Sequence, residues 1–209
     1  MKRLEDTRLY GILDLGYVRP ADLVRVASYM VEGGVDILQL RAKMFIPDDV
    51  RWFAEQIHPV TAAAGVPFII NDFPEVAAKI GAEGVHIGQD DVAVSHARDV
   101  AGYRAALGKS THSVEQAIAA AAEDVDYLGF GPLFTTPTKP KYAPIGVKEI
   151  RTVLEQVKKP VFCIGGIKLE NLPAVIKAGA QRVVIVSGIL EADDITGYCR
   201  KVKKMLEAG

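Results

Sequence analysis

Val66-Pro67-Phe68-Ile69-Ile70-Asn71-Asp72-Phe73-Pro74 runs from five apolar residues through a polar pair to a proline that can open a helix. The run does not alternate, so it is not a strand with one wet face. An unbroken apolar run of this length belongs to a parallel strand covered on both sides. Val183-Val184-Ile185-Val186 repeats the pattern near the other end of the chain. Outward from these two runs, strands are expected over 8–15, 35–41, 67–71, 84–88, 106–110, 127–131, 160–165 and 182–187.

Helical patterns separate them. Residues 20–32 put Leu23, Val26, Ala27, Met30 and Val31 on one face, and the last pattern does the same with Ile195, Tyr198, Cys199, Val202, Met205 and Leu206. Ser113 with Gln116 has the spacing of a capping box, and Gly33-Gly34, Gly65, Gly81 and Gly179 stand where helices should stop. Eight strand–helix units in 209 residues imply an α/β fold, a single-domain (β/α)8 TIM barrel over 1–209. A doubly wound open sheet is the alternative, but the chain lacks a dinucleotide fingerprint.

Lys and Arg number 25 against 26 Asp and Glu, so no basic excess points to nucleic acid. Met1-Lys2-Arg3 leads into charged residues rather than an apolar leader, and no apolar stretch is long enough to span a membrane. A cytoplasmic protein with small-molecule partners is expected, its oligomeric state open. Cys163 and Cys199 sit within apolar patterns and are expected to be small buried hydrophobes.

In such a barrel the active site lies at the C-terminal ends of the strands. Arg41 and Lys43 follow strand two, Asn71 and Asp72 strand three, and Gln89, Asp90 and Asp91 strand four. Fixed cations beside paired carboxylates suit a diphosphate held partly through Mg²⁺, with Asp72 and Asp91 the best metal ligands. Competing readings are that Asp72 only caps the next helix and that Arg41 and Lys43 only make salt bridges between barrel layers. On the opposite side of the mouth, Ile164-Gly165-Gly166-Ile167 and Val186-Ser187-Gly188 follow strands seven and eight, the usual place for a phosphate held by backbone N–H groups. The long loop 134–146 lies between the two anion poles in chain order and has the length of a lid. Two poles imply transfer: a diphosphate leaves one substrate and a phosphorylated second substrate takes its place.

Taken in order, Gln39-Leu40-Arg41-Ala42-Lys43, Asn71-Asp72, the segment 84–91, Gly108-Lys109-Ser110-Thr111-His112-Ser113, the segment 131–139 and Ile164-Gly165-Gly166-Ile167 resemble thiamine phosphate synthase from about Leu9 to Leu190. The resemblance implies that a hydroxymethylpyrimidine diphosphate loses pyrophosphate and is captured by the nitrogen of a thiazole phosphate. It implies a dissociative step with no protein nucleophile. It also implies that Gln39, Arg41, Lys43 and Asn71 hold the pyrimidine diphosphate, with Leu40 and Ala42 in the same motif. Asp72 and Asp91 would bind Mg²⁺. Ser110 would touch the pyrimidine or the departing pyrophosphate, and Lys139 would stabilise the latter. Thr136, Pro137, Thr138, Gly166, Val186 and Ser187 would receive the thiazole phosphate. Catalysis would fall to Ser110, Lys139, Arg41 and Lys43.

Two positions depart from the family pattern. The first strand reads Tyr10-Gly11-Ile12-Leu13-Asp14 where Tyr-x-Val-Thr-Asp is usual, and Ala42 stands at a commonly acidic position. The rival readings are a thiazole tautomerase using His112 as acid or base, a non-catalytic binder of phosphorylated ligands, and a sugar-phosphate isomerase. None of them needs the full set of cations and carboxylates. His86 reads as a structural residue.

Overall fold

The eight apolar runs close into a parallel barrel in sequence order, β1 (Leu9–Asp14), β2 (Ile37–Arg41), β3 (Phe68–Asn71), β4 (Gly84–Ile87), β5 (Ala106–Thr111), β6 (Tyr127–Phe130), β7 (Val161–Ile164) and β8 (Val183–Ile185). β8 pairs back onto β1, so no edge is left open. The computed structural model describes residues 3–136 and 143–208. The helices are α1 (Leu23–Glu32), α2 (Pro47–Ala63), α3 (Pro74–Ile80), α4 (Val94–Ala101), α5 (Val114–Ala121), α6 (Glu149–Gln156), α7 (Leu172–Lys177), the short α8 (Ser187–Leu190) and α9 (Ile195–Ala208).

Strand parity sorts the apolar residues into two layers. Leu9, Leu38, Leu40, Phe68, Ile70, Val85, Leu107, Leu128, Cys163 and Val183 face the helices and join the larger core cluster. Tyr10, Ile12, Ile37, Ile69, Tyr127, Phe162 and Val184 point inward and form a separate cluster that plugs the barrel. The unbroken apolar runs follow from this, because each strand is buried on both faces. Cys163 and Cys199 are both buried, which pushes each thiol up to about 12 and leaves them packing residues.

The N-terminal end of the barrel is stitched by acidic residues that precede β2, β4 and β6. Asp36 accepts from the N–H groups of Arg8 and Leu9, Glu83 from Phe68 and Asp126 from Leu107, each at 2.7 to 3.0 Å. Cations satisfy two of them further: Lys203 pairs with Asp36, and Arg98 reaches Asp126 at 2.8 Å. Three strand starts are thus tied to their neighbours by charge-assisted hydrogen bonds.

Element ends differ from expectation for local reasons. Residues 20–32 are not one helix, because Pro20–Asp22 forms a tighter 3₁₀ turn before α1 begins. Strand eight stops at Ile185; Val186, at φ −113° and ψ −90°, turns the chain and Ser187 opens α8. The box at Ser113 is offset. Ser113 Oγ accepts from Gln116 N–H, but Gln116 Oε1 accepts from the N–H of His112 rather than that of Ser113. Loop 134–146 returns to the barrel where the N–H of Ile145 donates to Pro132 O at 2.8 Å. Its residues Pro137, Thr138 and Lys139 lie outside the described ones.

Candidate active site

A single cavity opens at the C-terminal ends of the strands. It gathers Gln39, Arg41, Lys43, Asn71, Asp72, Asp91 and Ser110 with Thr136, Gly166, Val186 and Ser187. Segments more than a hundred residues apart in sequence share it because β1 to β8 close in order.

Alternation along β2 aims Gln39 and Arg41 inward, and Lys43 follows at the mouth. The same alternation puts Leu40 and Ala42 in the helix-facing core, each almost wholly buried. Their side chains therefore cannot contact a ligand, and only their backbone is available to one. Arg41 Nη1 bonds Asp14 Oδ2 at 2.6 Å. Asp14, buried and also accepting from the N–H of Gly16, fixes the guanidinium at the cavity wall. The salt bridge across barrel layers is present, and it serves to aim a residue that still lines the cavity.

Asp72 has φ +67°, the left-handed region that costs most residues strain and that Asp tolerates better than most. That turn carries its carboxylate to Lys43 Nζ at 3.0 Å and into hydrogen-bond range of Asp91. Asp91 in turn accepts from the N–H of Gly88 at 2.6 Å. Burial, then the neighbouring Asp91, raises the Asp72 carboxyl above its ordinary range despite Lys43. Neither carboxylate caps a helix: the N-cap positions of α3 and α4 are Phe73 and Ala93, with no side-chain cap. Two carboxylates drawn together in a half-buried mouth fit a hard divalent cation, and Mg²⁺ takes one or two protein carboxylates and fills its shell from water and phosphate. Among the described residues no group of three or more acidic, His or Cys side chains forms a fuller cage. Asp90 is exposed and lies outside the cavity lining.

The Nδ2 of Asn71 is buried at the cavity wall with no hydrogen-bond partner. An orphaned donor of this kind is costly unless a ligand supplies an acceptor. On the other side of the mouth, Gly165 and Gly166 have φ +100° and +65°. A Cβ on Gly166 would press on Thr135 O at 2.7 Å, so glycine is required and the backbone lies bare toward the cavity. Asn171 Nδ2 donates to Gly166 O at 2.8 Å and fixes that turn.

Sequence reading misplaced one residue. His86 is not a packing residue; its ring lines the cavity, with Nε2 at 2.9 Å from Ser110 Oγ and Nδ1 at 3.2 Å from Tyr127 Oη. Parity could have found it, since Val85 and Ile87 on the same strand face the helices. His112 also lines the cavity, its Nδ1 donating to Gly131 O at 2.5 Å.

A closed barrel whose mouth gathers Arg41 and Lys43 on one side and bare glycine backbone on the other defines a class, enzymes that act on phosphorylated small molecules. The profile of the thiamine monophosphate synthase family matches residues 9–189, and the chain belongs to that family. It is 38% identical over 202 residues to the thiamine-phosphate synthase of Chloroflexus aurantiacus, covering 96% of this chain and 93% of that one. It is 42% identical over 175 residues to the Thermus thermophilus protein of the same name, covering 83% of this chain and 84% of that one. Among solved structures, thiamine phosphate pyrophosphorylase from Pyrococcus furiosus superposes with a TM-score of 0.89 at 28% identity, over 98% of both chains.

Proposed function

We propose that this cavity joins 4-amino-2-methyl-5-(diphosphooxymethyl)pyrimidine to 4-methyl-5-(2-phosphooxyethyl)thiazole, giving thiamine phosphate and pyrophosphate, and that it does so with Mg²⁺. Family membership supports the condensation. The observation that carries the metal-assisted diphosphate pole is the meeting of Asp72, Asp91 and Lys43 beside the orphaned amide of Asn71.

In the reaction the C–O bond between the pyrimidine methylene and the diphosphate breaks, and both electrons leave with pyrophosphate. The thiazole nitrogen gives its lone pair to the same carbon. No proton has to be removed, so the Ser110–His86 pair that lines the cavity is not called on to act as nucleophile and base. Arg41, aimed by Asp14, and Lys43 neutralise charge growing on the leaving group. Asn71 donates to an oxygen of the diphosphate or to the ring edge. Mg²⁺, held by Asp72 and Asp91, would supply further stabilisation of the leaving oxygens. Gly166, Val186 and Ser187, with Thr136, receive the thiazole phosphate on the opposite side and hold its nitrogen in line. Lys139, with Pro137 and Thr138, would complete the shield over the leaving group.

The test is product formation by the purified protein given both substrates, with Mg²⁺ and with chelator. Mg²⁺-dependent thiamine phosphate and equimolar pyrophosphate support the reading. No product from folded protein that binds the thiazole phosphate overturns it and makes His112 the residue to examine as an acid or base.

A further inference from the structure

Five side chains from five strands are joined by hydrogen bonds across the cavity floor. Gln39 Nε2 meets Tyr10 Oη at 2.6 Å, Tyr10 Oη meets Tyr127 Oη at 3.0 Å, Tyr127 Oη meets His86 Nδ1 at 3.2 Å, and His86 Nε2 meets Ser110 Oγ at 2.9 Å. Burial raises both phenols well above their ordinary range, so each keeps its single proton.

Those single protons give the chain a direction. The amide nitrogen of Gln39 can only donate, so Tyr10 accepts there and passes its own proton to Tyr127. Tyr127 donates to Nδ1 of a neutral His86, whose Nε2–H then donates to Ser110. With the Gln39 amide nitrogen facing Tyr10, the reverse order would leave a buried hydroxyl proton facing a donor. The amide nitrogen is thereby committed to Tyr10, and the carbonyl oxygen is the atom Gln39 can offer a ligand.

The backbone is built to allow this. Gly108 of β5 is in register with His86 of β4 on one side and Tyr127 of β6 on the other. A Cβ there would collide with the Tyr127 ring and with His86 Nδ1, so a glycine between the two strands opens the gap in which they meet.

We infer that Tyr10, Tyr127 and His86 are positioning residues that lock Gln39 with its amide oxygen toward the cavity, so that the floor accepts a hydrogen bond and selects a 4-amino over a 4-oxo pyrimidine. This rests on the pyrimidine substrate proposed above. A 4-amino group donates to that oxygen; a 4-oxo group sets oxygen against oxygen. Breaking the chain at either phenol frees the amide to turn over and admit the oxo ring.

The experiment measures calorimetric Kd values for the 4-amino and 4-oxo forms of 2-methyl-5-(hydroxymethyl)pyrimidine monophosphate. The proteins are the wild type, Tyr10→Phe, Tyr127→Phe and His86→Asn, the last of which keeps an acceptor near the position of Nδ1. The wild type should favour the amino form by about 30-fold or more, the scale of one mismatched buried polar contact. Each Tyr→Phe variant should bring the ratio to within about threefold, mainly by binding the oxo form more tightly, while His86→Asn keeps most of the preference. A merely structural role would weaken both ligands alike and leave the ratio unchanged, which overturns the inference, as does a wild type without preference. Turnover of the diphosphate substrate by the wild type is measured alongside. If it is present and the ratio still does not move, the relay is wrong and the synthase reading stands; if it is absent, the synthase reading fails and the relay with it. Tyr10→Phe and Tyr127→Phe sit on different strands, so a folding failure in one leaves the other to decide.

Discussion

The two ends of this barrel treat charge in opposite ways. At the N-terminal end, Asp36, Glu83 and Asp126 each find backbone donors on the neighbouring strand, and Lys203 and Arg98 add to two of them. At the C-terminal end, Asp72 sits in left-handed backbone with a raised carboxyl beside Asp91, and Asn71 leaves a buried donor unmet. The same residue types hold the fold together at one end and are drawn together around a cavity at the other. Carboxylates already satisfied by backbone donors have nothing to offer a substrate, and strain persists where a ligand can relieve it.

Four substitutions separate the two ends. Asp36→Ala should have the largest effect. It strips the buried N–H of Leu9 of a charged acceptor and leaves Lys203 unpaired, so denaturant unfolding should show a loss of about 3 kcal/mol. Turnover per folded molecule should not change. Asp91→Ala should do the reverse, lowering kcat by about 100-fold and abolishing the response to Mg²⁺ while the melting temperature holds within a few degrees. A retained Mg²⁺ response would reject Asp91 as a ligand. Lys139→Ala should lower kcat by about tenfold with no loss of stability, the split expected of a cation that acts on the leaving group. Unfolding would remove its assigned role.

Asp72→Asn should act on stability with the opposite sign. The raised carboxyl means that the metal-free folded chain binds this proton more tightly than the unfolded chain. The group's contribution is therefore intact at low pH and is lost as pH rises from the ordinary carboxylate range through the raised one. A neutral amide avoids that loss, and Asn also accepts left-handed backbone. At neutral pH without metal the variant should melt about 2–4 °C higher, the change expected from about 1 kcal/mol, with turnover reduced. A lower melting temperature across the whole pH range would show that the carboxylate pair is not a liability.

The architecture was legible because a strand buried on both faces leaves a run of apolar residues that nothing else explains, as at Val66–Ile70 and Val183–Val186. Strand ends were less so. Whether Ser187 closes β8 or opens α8 depends on one backbone turn at Val186. The charged residues at the mouth were legible as residues that follow strands, since the fold sends them all to one end. Asp14 was missed as the anchor of Arg41, because a carboxylate at the end of β1 carries no sign of its partner until β1 and β2 are set in register. His86 was legible by parity, between Val85 and Ile87 that face the helices, but its meeting with Tyr127 depends on a glycine in the next strand, a pairing that only register reveals.

The proposed site for a metal-bound diphosphate at the C-terminal end consists of Asp72, Asp91, Lys43 and Asn71. The direct measurement is the melting temperature of the wild type, Asp91→Ala and Asp36→Ala, each with and without Mg²⁺ plus pyrophosphate. The account predicts a rise for the wild type, an equal rise for the destabilised Asp36→Ala, and none for Asp91→Ala. An undiminished rise in Asp91→Ala would contradict it.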